Sequence, residues 1–200
     1  TAFLKQALDN AENSGIDTKT DLIFFAEKDS TGGMVVFTGK VKDAEKFKVF
    51  SLDITKGGSE SENAGINFIS KSPVCVGWNK EKFVYVINTP ELNIQNFNRN
   101  YSDSDYTSKA RDLNAACKNI FDLKESNSLG ENEKFTELVK KSGDMYFWMN
   151  SEELNKGILD NPLISMVKLN KLYEGNITTS VLNFENGKIL VDVKSYSNKE

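Results

Sequence analysis

Any chemistry in this chain falls to carboxylates, lysines, tyrosines and hydroxyls, because it holds no histidine and two cysteines. Without histidine there is no Ser-His-Asp or Cys-His relay, no helical zinc-protease motif and no mixed Cys/His zinc site. Two thiols cannot complete a Cys-only site either. Paired carboxylates remain, and in a glycosidase such a pair flanks the sugar. With 29 acidic residues a pair is always available, and no spacing singles one out. Glu152 and Glu153 stand in the first turn of an expected helix, where the macrodipole favours acids without any catalytic role. The cluster "NFNRNYSDSD" offers oxygens at alternate positions, as calcium prefers. It lacks the glycine of the tight turn, and Lys109 occupies the closing position counted from Asn98. It reads as a solvated loop leading to a helix cap. "TGG" at 31–33 and "KGG" at 56–58 lack the strand-loop-helix spacing of nucleotide loops and read as turns. No catalytic residue, metal ligand or cofactor is assigned.

Trp78 and Trp148 are the aromatic candidates for a ligand-binding platform, since an exposed indole stacks on a sugar or an apolar ligand. Aromatics in strands are mainly core formers, and that reading is preferred for both. Cys75 lies in an apolar strand-like run and Cys117 on the apolar face of an expected helix. Two buried thiols is the preferred reading, and a disulfide stays open in an oxidising compartment.

The 200 residues suffice for one domain or two small ones. Apolar content of 38% and charged content of 27% are polar for a globular chain, yet clear apolar segments survive. A net charge of −4 argues against a nucleic-acid partner, which requires a basic face. No apolar run has the length of a transmembrane segment. The chain opens at Thr1 without a Met, which implies a processed or trimmed amino end and missing targeting information.

The elements that must position these residues follow from periodicity. "TAFLKQALDNAENSGID" reads as a helix stopped at Gly15. "DLIFFAE", expected as a buried strand, and "MVVFTGKV" form a hairpin. "KDAEKFKVFSLDI" has helical spacing and "TKGGSESENAG" reads as a polar loop. "INFIS", "VCVGWN" and "FVYVIN" are strands, the last two joined by "KEK". A polar excursion over 90–104 precedes a helix whose apolar stripe is Leu113, Ala116 or Cys117, Ile120 and Phe121. "FTELVKKS" is a short helix with Phe135, Leu138 and Val139 inward. "GDMYFWMN" is too uniformly apolar for one wet face and predicts a central strand covered on both sides, with Trp148 near its exit. Two helices follow, then "ITTSVLNFENGKILVDVKSY", where Asn186-Gly187 marks a type I′ hairpin and Asn183 and Asp192 mark the polar face. The fold class is α+β: largely antiparallel sheet built from hairpins, with helices packed on one side. The chain is one domain of residues 1–200, or two similar αβ half-units, 1–89 and 105–196, joined by the excursion.

The order of "NSGIDTKTDLIFFAEKDSTGGMVVFTGKVKDAEKFKVF", "SKSPVCVGWNKEKFVYVI", "FTELVKKSGDMYFWMNSEELN" and "NFENGKILVDVKS" spans most of the chain. In that order it resembles an uncharacterised family, a domain of unknown function, of Bacteroidetes secreted and cell-envelope lipoproteins. These stretches are structural landmarks and none is a catalytic motif. The resemblance implies export to the periplasm or outer-membrane surface, a lipid anchor on a segment ahead of Thr1, and membership of a larger lipoprotein. It also gives "DST" the look of an O-glycosylation acceptor at Ser30, although a plain polar turn is preferred. The function is unknown. The leading reading is a non-catalytic envelope protein or interaction module that binds a protein or glycan partner. The alternatives are a carboxylate-based hydrolase of cell-surface polymers and a purely structural module of a larger surface lipoprotein.

Overall fold

A computed structural model describes residues 13–29, 32–89, 111–150 and 175–197. Most of the opening helix, Ser30, the excursion over 90–104 and the two helices expected after Asn150, with Glu152 and Glu153, lie outside the described residues. The chain divides into two compact units at Leu123 and Lys124.

The first unit is built on a six-stranded antiparallel sheet. Its strands are β1 (Ile23–Asp29), β2 (Gly32–Lys40), β3 (Ser59–Asn63), β4 (Ile66–Lys71), β5 (Val74–Trp78) and β6 (Lys82–Thr89). They are ordered β1-β2-β6-β5-β4-β3. The four strands from β3 to β6 form a meander, and β6 then pairs with β2, with Val36 opposite Val86. The alternation of "VCVGW" and "KFVYVINT" sorts side chains to opposite faces. Val76, Trp78, Phe83 and Tyr85 fall on one side, and Cys75, Val84 and Val86 on the other.

Helix α1 (Ala44–Ile54) covers the first of these faces. Asp43 caps it, its carboxylate accepting from the amides of Glu45 and Lys46 at 3.1 Å each. Phe47 and Phe50, three apart, point to the sheet, and the Phe47 ring centroid lies 5.0 Å from Phe83 and 5.8 Å from both Trp78 and Tyr85. Tyr85 is fully buried there, its hydroxyl 2.7 Å from that of Ser51 on α1. A phenol in such a place is tolerated because it has a partner.

Helix α2 (Leu113–Phe121) covers the opposite face with Cys117 and Phe121. Asp112 caps it by accepting from the Ala115 amide at 2.9 Å. The helices of this unit therefore lie on both sides of the sheet, not on one. Helix α2 belongs with the strands that precede it, whereas the sequence reading grouped it with those that follow.

The second unit holds two 3-10 turns (Glu125–Asn127 and Leu129–Glu131), α3 (Glu133–Val139) and a three-stranded antiparallel sheet. Its strands β7 (Met145–Asn150), β8 (Ile177–Glu185) and β9 (Lys188–Tyr196) are ordered β7-β8-β9. Asn132 caps α3 by accepting from Lys134 and Phe135 amides at 3.0 and 3.3 Å. Asp144 fastens the start of β7 to β8: its amide donates to the Leu182 carbonyl at 2.9 Å and its carboxylate accepts from the Phe184 amide at 2.7 Å.

Strand β7 is "GDMYFWMN", and here the structure corrects the sequence reading. Among the described residues the run is an edge strand, not a central one, and all its large apolar residues except Trp148 are exposed. The "DLIFFAE" strand, expected to be buried, is likewise an edge, with Ile23 and Phe24 exposed. The reason is common to both. An apolar run fixes the character of a strand's two faces, but its place in the sheet is set by which neighbours it finds in register.

Candidate functional site

The two tryptophans fall in separate units and in different settings. Trp78, at the end of β5, is 4% exposed and packed on Phe47 with the rings tilted at 58°. It is a core side chain, and its candidacy as a binding platform is corrected accordingly. Trp148 on β7 is half-buried, with Phe135 of α3 set nearly perpendicular to it at 5.7 Å. Ser30, the candidate acceptor, lies outside the described residues.

A hydrolase requires two carboxylates facing across one cleft. Of two shallow depressions on the described surface, one is lined by Phe184, Glu185, Asn186 and Lys188, the other by Asn13, Glu45, Lys46 and Val49. Each shows a single carboxylate among its described lining residues. Asp43, Asp112 and Asp144 are occupied as caps and ties. Among the described residues, no group of three or more His, Cys, Asp or Glu side chains could hold a metal ion.

The register of the three-stranded sheet leads elsewhere. Residues directly opposite in antiparallel strands share a face. Tyr146, Trp148, Val181, Thr179, Asp192, Lys194 and Tyr196 thus point to one side. That side carries α3: Phe135 meets Trp148, Lys134 sits 5.0 Å from the Tyr196 ring, and Lys141 donates to Asp192 at 2.9 Å. Thr179 and Val181 are buried beneath it. The opposite side presents Met145, Phe147 and Met149 from β7, Leu182 and Phe184 from β8, and Ile189, Val191 and Val193 from β9. Its remaining residues are Thr178, Ser180 and Ser195, so no charge stands on it.

This face is open. Apart from half-buried Leu182, its large apolar residues run from 38% exposed at Met149 to 62% at Ile189. With ordinary side-chain areas these fractions amount to roughly 600 Å² of contiguous apolar surface, at the upper end for a monomer. A signal for it stands in the alternation of Val191 and Val193 with Asp192 and Lys194. Reading the apolar set as inward concealed the outcome, because the helix takes the side that holds Asn183 and Asp192.

A family model described as domain of unknown function DUF4836 matches residues 1–200, and the chain belongs to that family. No curated protein and no solved structure matches the chain.

Proposed function

We propose that this DUF4836 member is a non-catalytic interaction module of the cell envelope that docks a protein partner on the open face of β7, β8 and β9. The observation that carries the reading is the charge-free apolar face running from Met145 to Ile189 across three strands. Its extent approaches one side of a standard protein interface, about 800 Å². The chemistry favours a protein over a glycan. Sugars are held by directional hydrogen bonds beside an aromatic plane; Phe147 and Phe184 supply aromatic planes here, but the hydrogen-bonding side chains of the face are three small hydroxyls. The partner is expected to bring an uncharged aliphatic or aromatic surface, since a charge set against this face is desolvated without compensation. Placement in the envelope is supported by the resemblance to secreted lipoproteins.

The test is site-specific photocrosslinking in the native host. A photoreactive residue replaces Val191 on the open face or, as control, Lys194 on the helix-covered face. The expected result is a discrete heavier adduct from position 191 that is absent from position 194. Equal adducts from both positions, or none from 191 in a folded chain, would overturn the proposal.

A further inference from the structure

Strand β5 and helix α2 bring the two cysteines of the chain into one buried gap. Cys75 and Gly77 alternate on β5 and so share the face that α2 covers. Cys117 sits directly above Gly77: a Cβ added there would lie 2.8 Å from the Cys117 sulfur. The missing side chain at Gly77 is what makes room for that sulfur. The Cys117 thiol donates to the Val84 carbonyl at 3.4 Å, and Val84 is the β6 partner of Gly77. Cys75 reaches up from the sheet to the same helix, its thiol donating to Asn114 Oδ1 at 3.2 Å, one turn before Cys117. Both thiols are fully buried in one apolar cluster.

The frame around them is fixed at both ends of α2. Arg111 donates to Asn88 Oδ1 at 3.0 Å and to the Gly32 carbonyl at 3.1 Å, joining the start of the helix to β6 and β2. At the other end Lys82 donates to the Phe121 carbonyl and lies 4.4 Å from the Phe121 ring centroid. Helix α2 is thereby held along β6, and the two sulfurs are kept in register.

The geometry points to Cys75 and Cys117 as a built site for a disulfide that staples α2 to the sheet, formed by exchange with a small-molecule disulfide. In the balanced step, the two thiols give up two protons and two electrons and form one S–S bond. The S–S bond of the small disulfide breaks, and its halves leave as two thiols. This inference does not rest on the docking proposal. The neighbouring Cys75 thiol and then burial push the Cys117 thiol upward, so the thiolate required for exchange forms when the site opens or during folding.

The experiment refolds the reduced full chain in a buffer of reduced and oxidised glutathione, followed by intact mass, peptide mapping and calorimetry. The expected product is lighter by two hydrogens, yields one linked peptide joining Cys75 to Cys117, and resists alkylation after denaturation. Closing a loop of roughly 40 residues then raises the thermal midpoint by roughly 10 °C for a chain of this size. Cys75→Ala and Cys117→Ala are expected to melt identically under oxidising and reducing conditions. Four results overturn the inference: two free thiols after refolding, a glutathione adduct held on either cysteine, a disulfide between chains, or an oxidised form that melts below the reduced one.

Discussion

Replacing Gly15 with alanine places a methyl group where the backbone leaves no room, and the cost can be built from two parts. Gly15 has φ +73°, in the left-handed region that costs an L-residue about 1–2 kcal/mol. The added Cβ would lie 2.3 Å from the Asp43 carbonyl oxygen and 2.4 Å from the Phe47 amide nitrogen. Both are backbone atoms at the start of α1, so no rotamer change relieves the overlap. The Gly15 carbonyl also accepts from the amides of Lys42 and Asp43 at 2.8 and 3.1 Å, bonds that weaken as the segment is pushed away. Overpacking of this kind adds about 1–3 kcal/mol, which brings the total to about 3 kcal/mol or more. Gly65→Ala is the matched control. Its φ is +76° with nothing within 4 Å of the added methyl, so it carries the backbone part alone, about 1 kcal/mol. The assay is urea unfolding followed by Trp78 emission in a Trp148→Phe background, because Trp78 packs on α1 through Phe47. At about 2 kcal/mol per molar urea the Gly15→Ala midpoint falls by about 1.5 M and the control by about 0.5 M. Equal shifts in the two variants would show that α1 does not close over Gly15 as described.

Tyr85→Phe leaves the buried Ser51 hydroxyl without its partner and is expected to cost about 1–2 kcal/mol in denaturant unfolding at neutral pH. Burial pushes the Tyr85 phenol upward, so the unfolded chain loses that proton first as pH rises. Wild-type stability therefore falls from about pH 10 upward, and the slope decreases by about 1.4 kcal/mol per pH unit in Tyr85→Phe. Acrylamide is expected to quench Trp148 far more than Trp78; a protected, blue-shifted emission from a Trp78→Phe chain would belong to Trp148 and contradict its partial exposure. Val181→Thr buries a hydroxyl under α3 and is expected to lose about 1–3 kcal/mol. Val191→Thr on the open face is expected to stay within about 0.5 kcal/mol, and equal losses measured by calorimetry would mean that both faces are covered.

The hairpins were readable because their signal is local. "VCVGW", "KFVYVINT" and the Asn186-Gly187 turn carry period-two alternation and turn chemistry within a few residues of each other. So was α1, whose cap Asp43 and apolar Phe47 and Phe50 share one turn-spaced pattern. Strand β3, "SESEN", has no apolar alternation and reads as part of a polar loop. All five residues are exposed, and it is a strand through its ladder to β4, which any side chains at a solvated edge allow. Strands β1 and β7 read as strands, the first as buried and the second as central, because apolar character says nothing about sheet order. The open face suffered most. Its residues were seen, but which side α3 would take depends on tertiary contacts such as Lys141 to Asp192, 51 residues apart, that no local pattern encodes.

The pairing of β2 with β6 has a kinetic consequence. Each rung of that ladder joins residues about 40 to 55 positions apart, whereas the β3–β6 meander is joined by short turns. The meander therefore forms by fast local closure, and the β1–β2 hairpin docks later against a completed β6. During synthesis the hairpin emerges first and waits for some 50 residues before its neighbour exists. Through that interval Val35, Val36 and Phe37 stand unshielded, which makes this segment the natural target for a chaperone holding the nascent chain.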